Sequence, residues 1–152
     1  MRVLITGAAG MIGRKLTARL AADGTLAGRR IASLDLHDIV PPPAPDLAGV
    51  AVRSLTGDLA GAGAAEALVA EWPDVVFHLA GIVSGEAEAN FDLGYQVNLD
   101  GTRALFDAVR LAGYAPRVVF TSSIAVFGAP FPEVIPDDFH PTPLTSYGTP
   151  RS

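Results

Sequence analysis

The residues with the clearest chemical potential in this chain are three glycines, Gly7, Gly10 and Gly13, each three positions after the last. They stand between an apolar run at 2–6 and a helical pattern that begins at residue 11. Gly7 permits a tight turn, Gly10 lets the backbone approach phosphate oxygens, and Gly13 lets the helix pack closely on the strand. The helix N-terminus offers free N–H groups to an anion. The pattern therefore predicts a binding surface for a dinucleotide pyrophosphate, to which we also assign Ala9, Met11 and Ile12.

Two carboxylates are candidates for recognising the nucleoside half of such a dinucleotide. Asp35 is expected at the end of the second strand, where a carboxylate accepts hydrogen bonds from ribose hydroxyls and repels the 2′-phosphate of NADP. NAD is therefore the predicted cofactor. Asp58, followed by Leu59, comes after the third strand. Its carboxylate could bond the adenine amino group or cap the N-terminus of the next helix, and both interpretations stay open.

Histidine and asparagine supply the remaining polar candidates. His78 lies in the fourth predicted strand and is interpreted as a structural residue rather than a ligand. His37 and His140 have no partners nearby in sequence, so no metal site is predicted. Asn98 lies in the middle of a predicted helix, where asparagine is unfavourable. We expect its amide either to bond a neighbouring loop or to hold a water near the active site.

These residues need an alternation of strands and helices to position them, and the hydrophobic pattern predicts one. Strands are expected at 2–6, 31–36, 50–55, 74–79 and 117–121, and helices at 11–22, 62–71 and 90–112. The proline-rich stretch 128–152 is predicted to be loop. Alternating elements of this kind predict an α/β fold: a Rossmann-type doubly wound parallel sheet with helices on both faces, formed as one domain by residues 1–152.

Composition narrows the class of protein further. The chain has 152 residues, 49% of them hydrophobic, a net charge of −5 and no cysteine. The absence of a basic stripe argues against a nucleic-acid partner, and no apolar run is long enough for a membrane span. The absence of cysteine fits a reducing compartment. We therefore expect a soluble, cytoplasmic protein.

Taken together, the motifs resemble the extended short-chain dehydrogenase/reductase superfamily, of the NAD-dependent epimerase/dehydratase type. The resemblance rests on Thr6-Gly7-x-x-Gly10-x-x-Gly13, Asp35, Gly57-Asp58-Leu59, His78-Leu79-Ala80-Gly81, Asn98, Thr121-Ser122-Ser123, Val126-Phe127-Gly128 and Tyr147. Within that superfamily, the stretches 83–94 and 97–104 resemble the D-erythronate dehydrogenase subfamily. The resemblance implies an NAD-dependent oxidoreductase of carbohydrate metabolism that acts on a sugar acid. A nucleotide-sugar epimerase or dehydratase, and a non-catalytic NAD-binding remnant, stay open as alternatives.

The resemblance also implies a role for individual residues. Tyr147 would act as the general base, Ser123 would hydrogen-bond the same substrate oxygen, and Asn98 would complete a proton relay. Leu79, Ala80 and Gly81 would border the cofactor, with Asn98 and Tyr147 beside it. A tyrosine with an ordinary pKa of about 10 is a weak base at neutral pH, so this mechanism needs a neighbouring cation.

That cation is where the chain departs from the family pattern Tyr-x-x-x-Lys, because Arg151 stands in place of the lysine. Pro150 is expected to push Thr149 out of the helical region. The C-terminal substrate-binding part is expected to be missing, as after a frameshift or premature stop, so that this chain has little or no activity. Full-length relatives would be homodimers, and we expect this chain to self-associate through its exposed fifth strand.

Overall fold

A parallel sheet of five strands is the centre of the molecule in the computed structural model, which describes residues 1–152. These strands are β1 (Arg2–Thr6), β4 (Ser33–Asp38), β5 (Ala51–Thr56), β6 (Val75–His78) and β7 (Arg117–Phe120). Their order across the sheet is β5-β4-β1-β6-β7, and every neighbouring pair is parallel. Taken in chain order, the five strands follow the 3-2-1-4-5 arrangement of a Rossmann sheet. The predicted fold class is confirmed.

Three helices cover the two faces of this sheet: α1 (Met11–Asp23), α2 (Ala64–Val69) and α5 (Gly101–Ala112). Two shorter helices, α3 (Ser84–Ala89) and α4 (Phe91–Tyr95), pack against each other in the connection that leads from β6 to α5. On one face, Leu4 and Val76 pack with Leu68 of α2 and Leu105 of α5. On the other face, buried side chains of β1 and β4 pack with Leu20 of α1. Successive β1 side chains thus serve opposite cores, as the twofold period of a strand requires.

The second strand of the sheet differs most from its prediction. A short antiparallel hairpin, β2 (Thr25–Leu26) and β3 (Arg29–Arg30), follows α1 and moves the next strand to Ser33–Asp38. The hairpin turns at Ala27 and Gly28, both of which have positive φ angles (48° and 75°). This conformation is typical of a two-residue hairpin turn. The predicted strand at 31–36 is therefore wrong by two residues at each end.

The predicted helix at 90–112 is interrupted. α4 continues into a π-helical segment (Gln96–Asp100), which leads directly into α5. Extra residues of this kind inside a helix occur frequently at functional sites. The loop predicted at 128–152 is confirmed except for a 3₁₀ turn at Thr149–Arg151. Thr149 is therefore helical, contrary to expectation, because Pro150 stands in the first turn, where proline is tolerated.

The edges of the sheet are β5 and β7. Val119, on β7, is 42% exposed, so the predicted open edge is confirmed at this strand. The predicted self-association stays a prediction. No helix combines the length and apolar character that crossing a bilayer requires.

Candidate functional site

A cavity of about 510 Å³ opens at the carboxyl ends of the strands. Its lining comes from the end of β4, from the turns that follow β1, β5 and β6, and from the helical segments after β6; it includes Gly7, Asp38, Asp58, Ala80 and Glu86. Ligands of open α/β sheets bind at this edge, where the connections diverge to opposite faces. The cavity therefore lies where the sequence predicts a dinucleotide.

The glycine-rich turn forms one wall of the cavity, and two of its glycines are required by the backbone. Gly7 has a φ of 74°, and a Cβ there would lie 2.6 Å from the backbone N of Ala80. A Cβ on Gly13 would lie 2.2 Å from the backbone O of Gly7. Gly10 has an ordinary φ of −68° and serves as the N-cap of α1. Gly7 and Gly13 thus permit close backbone packing, whereas Gly10 leaves the approach to the helix open.

The N-terminus of α1 is well suited to an anion. Gly10 offers no side-chain cap, and no acidic residue stands in the first turn. Ala9 and Gly10 line the cavity, whereas the exposed side chains of Met11 and Ile12 do not. The unsatisfied N–H groups and the partial positive charge at this terminus would accommodate a pyrophosphate.

Asp35 does not reach the cavity, and its predicted position at a strand end is wrong. It lies in the middle of β4 directly opposite Arg53 of β5. The two carboxylate oxygens of Asp35 accept hydrogen bonds from Nε and Nη2 of Arg53, both at 2.7 Å. Arg53 also contacts Glu71 at 3.0 Å. Asp35, only 5% exposed, is thus committed to a structural ion pair.

Asp38 is the acidic residue at the carboxyl end of β4, and it lines the cavity. Its Oδ2 accepts a hydrogen bond from the backbone N of Ala9 at 2.8 Å, and its Oδ1 accepts one from Ile39 at 2.7 Å. The carboxylate is therefore held beside the glycine-rich turn. Sequence reasoning missed Asp38 because the β2–β3 hairpin displaced the strand.

Asp58 lines the same cavity, and Leu59 lies beside it. The Oδ1 of Asp58 accepts a hydrogen bond from the backbone N of Ala60, and its Oδ2 accepts one from Nε2 of Gln96 at 3.1 Å. The N-cap of α2 is Gly63, so the interpretation of Asp58 as the cap of the next helix is wrong. Its position leaves the nucleoside interpretation.

The π-helical segment places the amide of Asn98 against the loop after β6. The Oδ1 of Asn98 accepts a hydrogen bond from the backbone N of Ile82 at 3.0 Å, and its Nδ2 donates to the Ile82 carbonyl at 3.3 Å. The expectation that this amide bonds a neighbouring loop is confirmed. The same Oδ1 accepts a second hydrogen bond, at 2.9 Å, from Nη2 of Arg151.

Arg151 is the centre of a second cluster, which it forms with Asn98 and Tyr147, and only 6% of its surface is exposed. Its Nη1 donates to the Thr121 carbonyl at 3.1 Å, while its Nε is buried without a partner. The guanidinium carbon lies 5.8 Å from the ring centres of both Phe120 and Tyr147. Burial lowers the pKa of Arg151, and the interaction with Tyr147 partly offsets that shift. No carboxylate forms a salt bridge with this cation, which lies beside the predicted base.

Ser123 and Tyr147 are held by other contacts. The Oγ of Ser123 accepts a hydrogen bond from the backbone N of Ala125 at 3.2 Å. The backbone N of Tyr147 donates to Oε1 of Glu88 at 2.8 Å. The two side chains are not hydrogen-bonded to each other. The structure thus brings Asn98, Arg151 and Tyr147 together, with Ser123 in the neighbouring turn after β7.

The buried side chain of His78 contacts both β1, at the strand before the glycine-rich turn, and α5. Its Nδ1 lies 2.7 Å from Oγ1 of Thr6, and its Nε2 lies 2.9 Å from Oγ1 of Thr102. Thr102 in turn donates to the Asn98 carbonyl at 2.8 Å. The predicted structural role of His78 is confirmed. No group of three or more histidine, cysteine, aspartate and glutamate side chains could hold a metal ion.

We expect His78 to make the protein less stable in mild acid. Burial, and next the positive charge of Arg151, lower the pKa of His78 to about 4 from the ordinary 6.5. The unfolded chain therefore binds this proton at a higher pH than the folded protein does. The free energy of unfolding should fall as the pH drops through this window, by about 2 kcal/mol between pH 7 and pH 5.

Urea unfolding at several pH values tests this expectation against His78→Asn. The asparagine retains an amide for the two threonines but has no titrating group. The carboxylates contribute equally to both proteins, so the difference between the two pH profiles isolates His78. Parallel profiles would contradict the prediction.

Comparison with known proteins gives a family match over nearly the whole chain. The model of the NAD dependent epimerase/dehydratase family matches residues 3–151. A D-erythronate dehydrogenase of Cupriavidus necator is 46% identical over an alignment that covers 100% of this chain and 48% of that protein. The chain spans about half the length of the relatives it matches.

Two solved structures from Agrobacterium tumefaciens resemble the chain over 99% of its length. A nucleoside-diphosphate-sugar epimerase is 60% identical with a TM-score of 0.95, and 45% of that chain is covered. A mutant uronate dehydrogenase complexed with NAD is 34% identical with a TM-score of 0.77, and 51% of that chain is covered.

Proposed function

The chain belongs to the NAD dependent epimerase/dehydratase family, and we propose that it forms the NAD-binding part of an oxidoreductase that oxidises a hydroxyl of a sugar acid. The predicted cofactor, NAD, is confirmed by the family and by the relative solved with NAD. One observation carries the proposal: a buried cation, Arg151, lies between Asn98 and Tyr147 and directly beside Gly81 of the cavity wall. We propose that residues 1–152 act as one domain.

The residues present fit a dinucleotide. The Cβ-free surface of the glycine-rich turn and the uncapped start of α1 suit its pyrophosphate. We assign the adenosine ribose to Asp38 and the adenine to Asp58 and Leu59. Leu79, Ala80 and Gly81 then border the nicotinamide end. When bound, NAD supplies the hydride acceptor of the reaction.

The chain's own residues would handle the proton of the substrate hydroxyl. We propose that Tyr147 accepts it, since a positioned tyrosine can act as a general base when a cation is beside it. Arg151 is that cation, 5.8 Å from the Tyr147 ring. The Oγ of Ser123 accepts from Ala125, which leaves its own hydrogen free to donate to the substrate oxygen. Asn98 fixes Arg151 by hydrogen bonding.

A nucleotide-sugar epimerase is the second candidate, because the 60% identical Agrobacterium tumefaciens structure carries that name. The D-erythronate dehydrogenase relative favours the sugar acid. Both activities use the same cofactor half, so the substrate has to separate them. The predicted low activity of the 152-residue chain stays a prediction.

The test compares the chain alone with the chain joined to the second half of the Cupriavidus necator relative. We expect the joined protein to form NADH from D-erythronate and not to convert UDP-glucose. The chain alone should form NADH at a rate well below about 1 per second. Epimerisation of UDP-glucose by the joined protein would favour the second candidate. NAD binding by the chain with neither reaction in the joined protein would leave the non-catalytic alternative.

We expect Asp38→Asn to relax the preference for NAD over NADP. The ionised Asp38 carboxylate would repel the 2′-phosphate, and juxtaposed like charges cost several kcal/mol. Removing the charge should raise the affinity for NADP relative to NAD by about tenfold or more. Calorimetric titration of both cofactors measures this ratio.

Asp35→Asn is the matched control, because it removes the same charge three residues earlier. It breaks the pair with Arg53 and should lower the free energy of unfolding by roughly 1–2 kcal/mol without changing the cofactor ratio. The assignment to Asp38 fails if Asp35→Asn shifts the ratio and Asp38→Asn does not.

A further inference from the structure

The imidazole of His37 is a buried polar group that takes no part in the proposed proton transfer. His37 is the penultimate residue of β4 and is 5% exposed. Its Nδ1 is buried and has no hydrogen-bond partner. Buried polar atoms without partners are few in folded proteins, and each one carries a desolvation cost. The other ring nitrogen, Nε2, is the one that lies beside Gly57 of the cavity wall.

The ring stands at the wall of the cavity. His37, Gly57 and Asp58 all line it. Nε2 of His37 lies 3.8 Å from the position that a Cβ on Gly57 would take, so the glycine leaves that side of the ring uncovered. Burial lowers the pKa of His37, and the carboxylates of Asp38 and Asp58 partly offset this effect. A neutral imidazole has one N–H donor and one acceptor nitrogen.

Among the side chains that line the cavity, only that of His37 can both donate and accept a hydrogen bond. The other polar side chains that line it are carboxylates, which accept hydrogen bonds but do not donate when ionised; they are Asp38, Asp58 and Glu86. The adenine edge presents an amino donor and ring-nitrogen acceptors next to each other. A single imidazole nitrogen can donate to a ring nitrogen of adenine or accept from its amino group, according to its tautomer, whereas the ionised carboxylates can only accept.

We propose that His37 is a cofactor-binding residue whose imidazole makes a polar contact with the adenosine half of NAD and so sets the affinity for that half. The inference rests on the proposed function, since it takes the cavity to be the NAD site. The ring affects the binding of the adenosine half and leaves the binding of the nicotinamide half unchanged.

The experiment titrates NAD, ADP-ribose and nicotinamide mononucleotide into the wild-type chain and into His37→Leu. We expect the variant to bind NAD and ADP-ribose about fivefold more weakly, because one hydrogen bond is lost. Its affinity for nicotinamide mononucleotide should not change. His37→Gln retains a donor and an acceptor and should bind within twofold of the wild type. His140→Leu, the same change at an exposed histidine, is the control.

A spectroscopic measurement on the wild-type chain makes the test independent of how the variants fold. The ¹⁵N signals of the His37 ring should move when ADP-ribose is added and should stay in place with nicotinamide mononucleotide. Unchanged signals with ADP-ribose bound, or wild-type affinity in His37→Leu, would overturn the inference alone. A wild-type chain that binds neither NAD nor ADP-ribose would overturn the proposed function and the inference with it.

Discussion

Gly7→Ala should abolish measurable NAD binding and lower the free energy of unfolding by about 3 kcal/mol. Two costs add at this position. The φ of 74° is strained for any residue with a Cβ, and the new Cβ would lie 2.6 Å from both the Ala80 nitrogen and the Leu79 carbonyl carbon. These neighbours are backbone atoms of the loop after β6, so they can move only if the loop moves. That loop borders the cavity, and its displacement would change the binding surface itself.

Two other glycines separate the contributions. Gly24 has a φ of 62°, and no atom lies within 4 Å of the position that a Cβ would take there. Gly24→Ala should therefore lower the free energy of unfolding by about 1 kcal/mol and leave NAD affinity unchanged. Gly10 has an ordinary φ, and its Cβ would lie 3.3 Å from the Gly7 carbonyl oxygen. Gly10→Ala should therefore fold almost normally but bind NAD more weakly, because the methyl group occupies the approach to the helix.

Thermal unfolding and calorimetric titration of the three variants measure both quantities. The expected loss of stability in Gly7→Ala corresponds to a fall of roughly 10 °C in Tm for a chain of this size. A Gly7→Ala protein with the Tm and NAD affinity of Gly24→Ala would show that the contact with the loop after β6 is unimportant.

The glycine-rich turn was predictable because its chemistry is local. The apolar strand, the three glycines and the start of α1 are contiguous in sequence, so their spacing alone places them. The parallel sheet was predictable for a related reason, since β1 and β6 form short apolar runs that are each followed by a helical pattern. What these patterns do not carry is the register between strands that are distant in sequence.

Asp35 and Asp38 illustrate that limit. Both are acidic residues near the end of one apolar run, and only the strand bounds decide which reaches the sheet edge. The hairpin at residues 25–30 set those bounds, and its strands of two residues each are too short to show an alternating pattern. Arg53 offered a hint, because a charged residue inside a strand needs a partner. Which aspartate it pairs with depends on the register between β4 and β5.

The second cluster depended still more on tertiary contacts. The unfavourable helical position of Asn98 signalled a role, but nothing in the sequence around it predicts a π-helical segment. Its amide contacts Ile82 and Arg151, which lie 16 and 53 residues away. The effect of Pro150 depends on where the helical turn begins, which the sequence around it does not show. At the first turn it lacks only an N–H group that would have no partner there.

The second large effect is expected in the same cluster, where a substitution of Arg151 should raise the stability of the protein and lower its activity. We expect the free energy of unfolding of Arg151→Met to be about 1 kcal/mol higher than that of the wild type, although the substitution removes two hydrogen bonds. The guanidinium is buried with no carboxylate partner, and its Nε has no partner at all. Replacing such a charge with an apolar side chain of similar length is neutral or stabilising in many proteins.

Hydride transfer should change in the opposite direction. In the chain joined to the second half of the Cupriavidus necator relative, NADH formation should fall about 100-fold or more in Arg151→Met, since base catalysis by Tyr147 loses its cation. Tyr147→Phe should lower the rate of NADH formation at least as much, whereas Arg151→Lys, which retains the charge, should not lower it. If Arg151→Met loses activity in step with stability, the cation is only a structural residue.

A third readout links these two effects to one physical cause. The positive charge of Arg151 contributes to the low pKa of His78, which lies in the same buried region but outside the proposed proton path. Removing the charge in Arg151→Met should raise the pKa of His78, as followed by NMR titration, whether or not any substrate is present. Arg151→Lys should leave that pKa close to its wild-type value. A stabilised variant with an unchanged His78 pKa would mean that the gain came from packing alone. A raised pKa together with lost turnover would show that one desolvated charge both destabilises the fold and serves the reaction, which is the expected cost of placing a functional cation in a core.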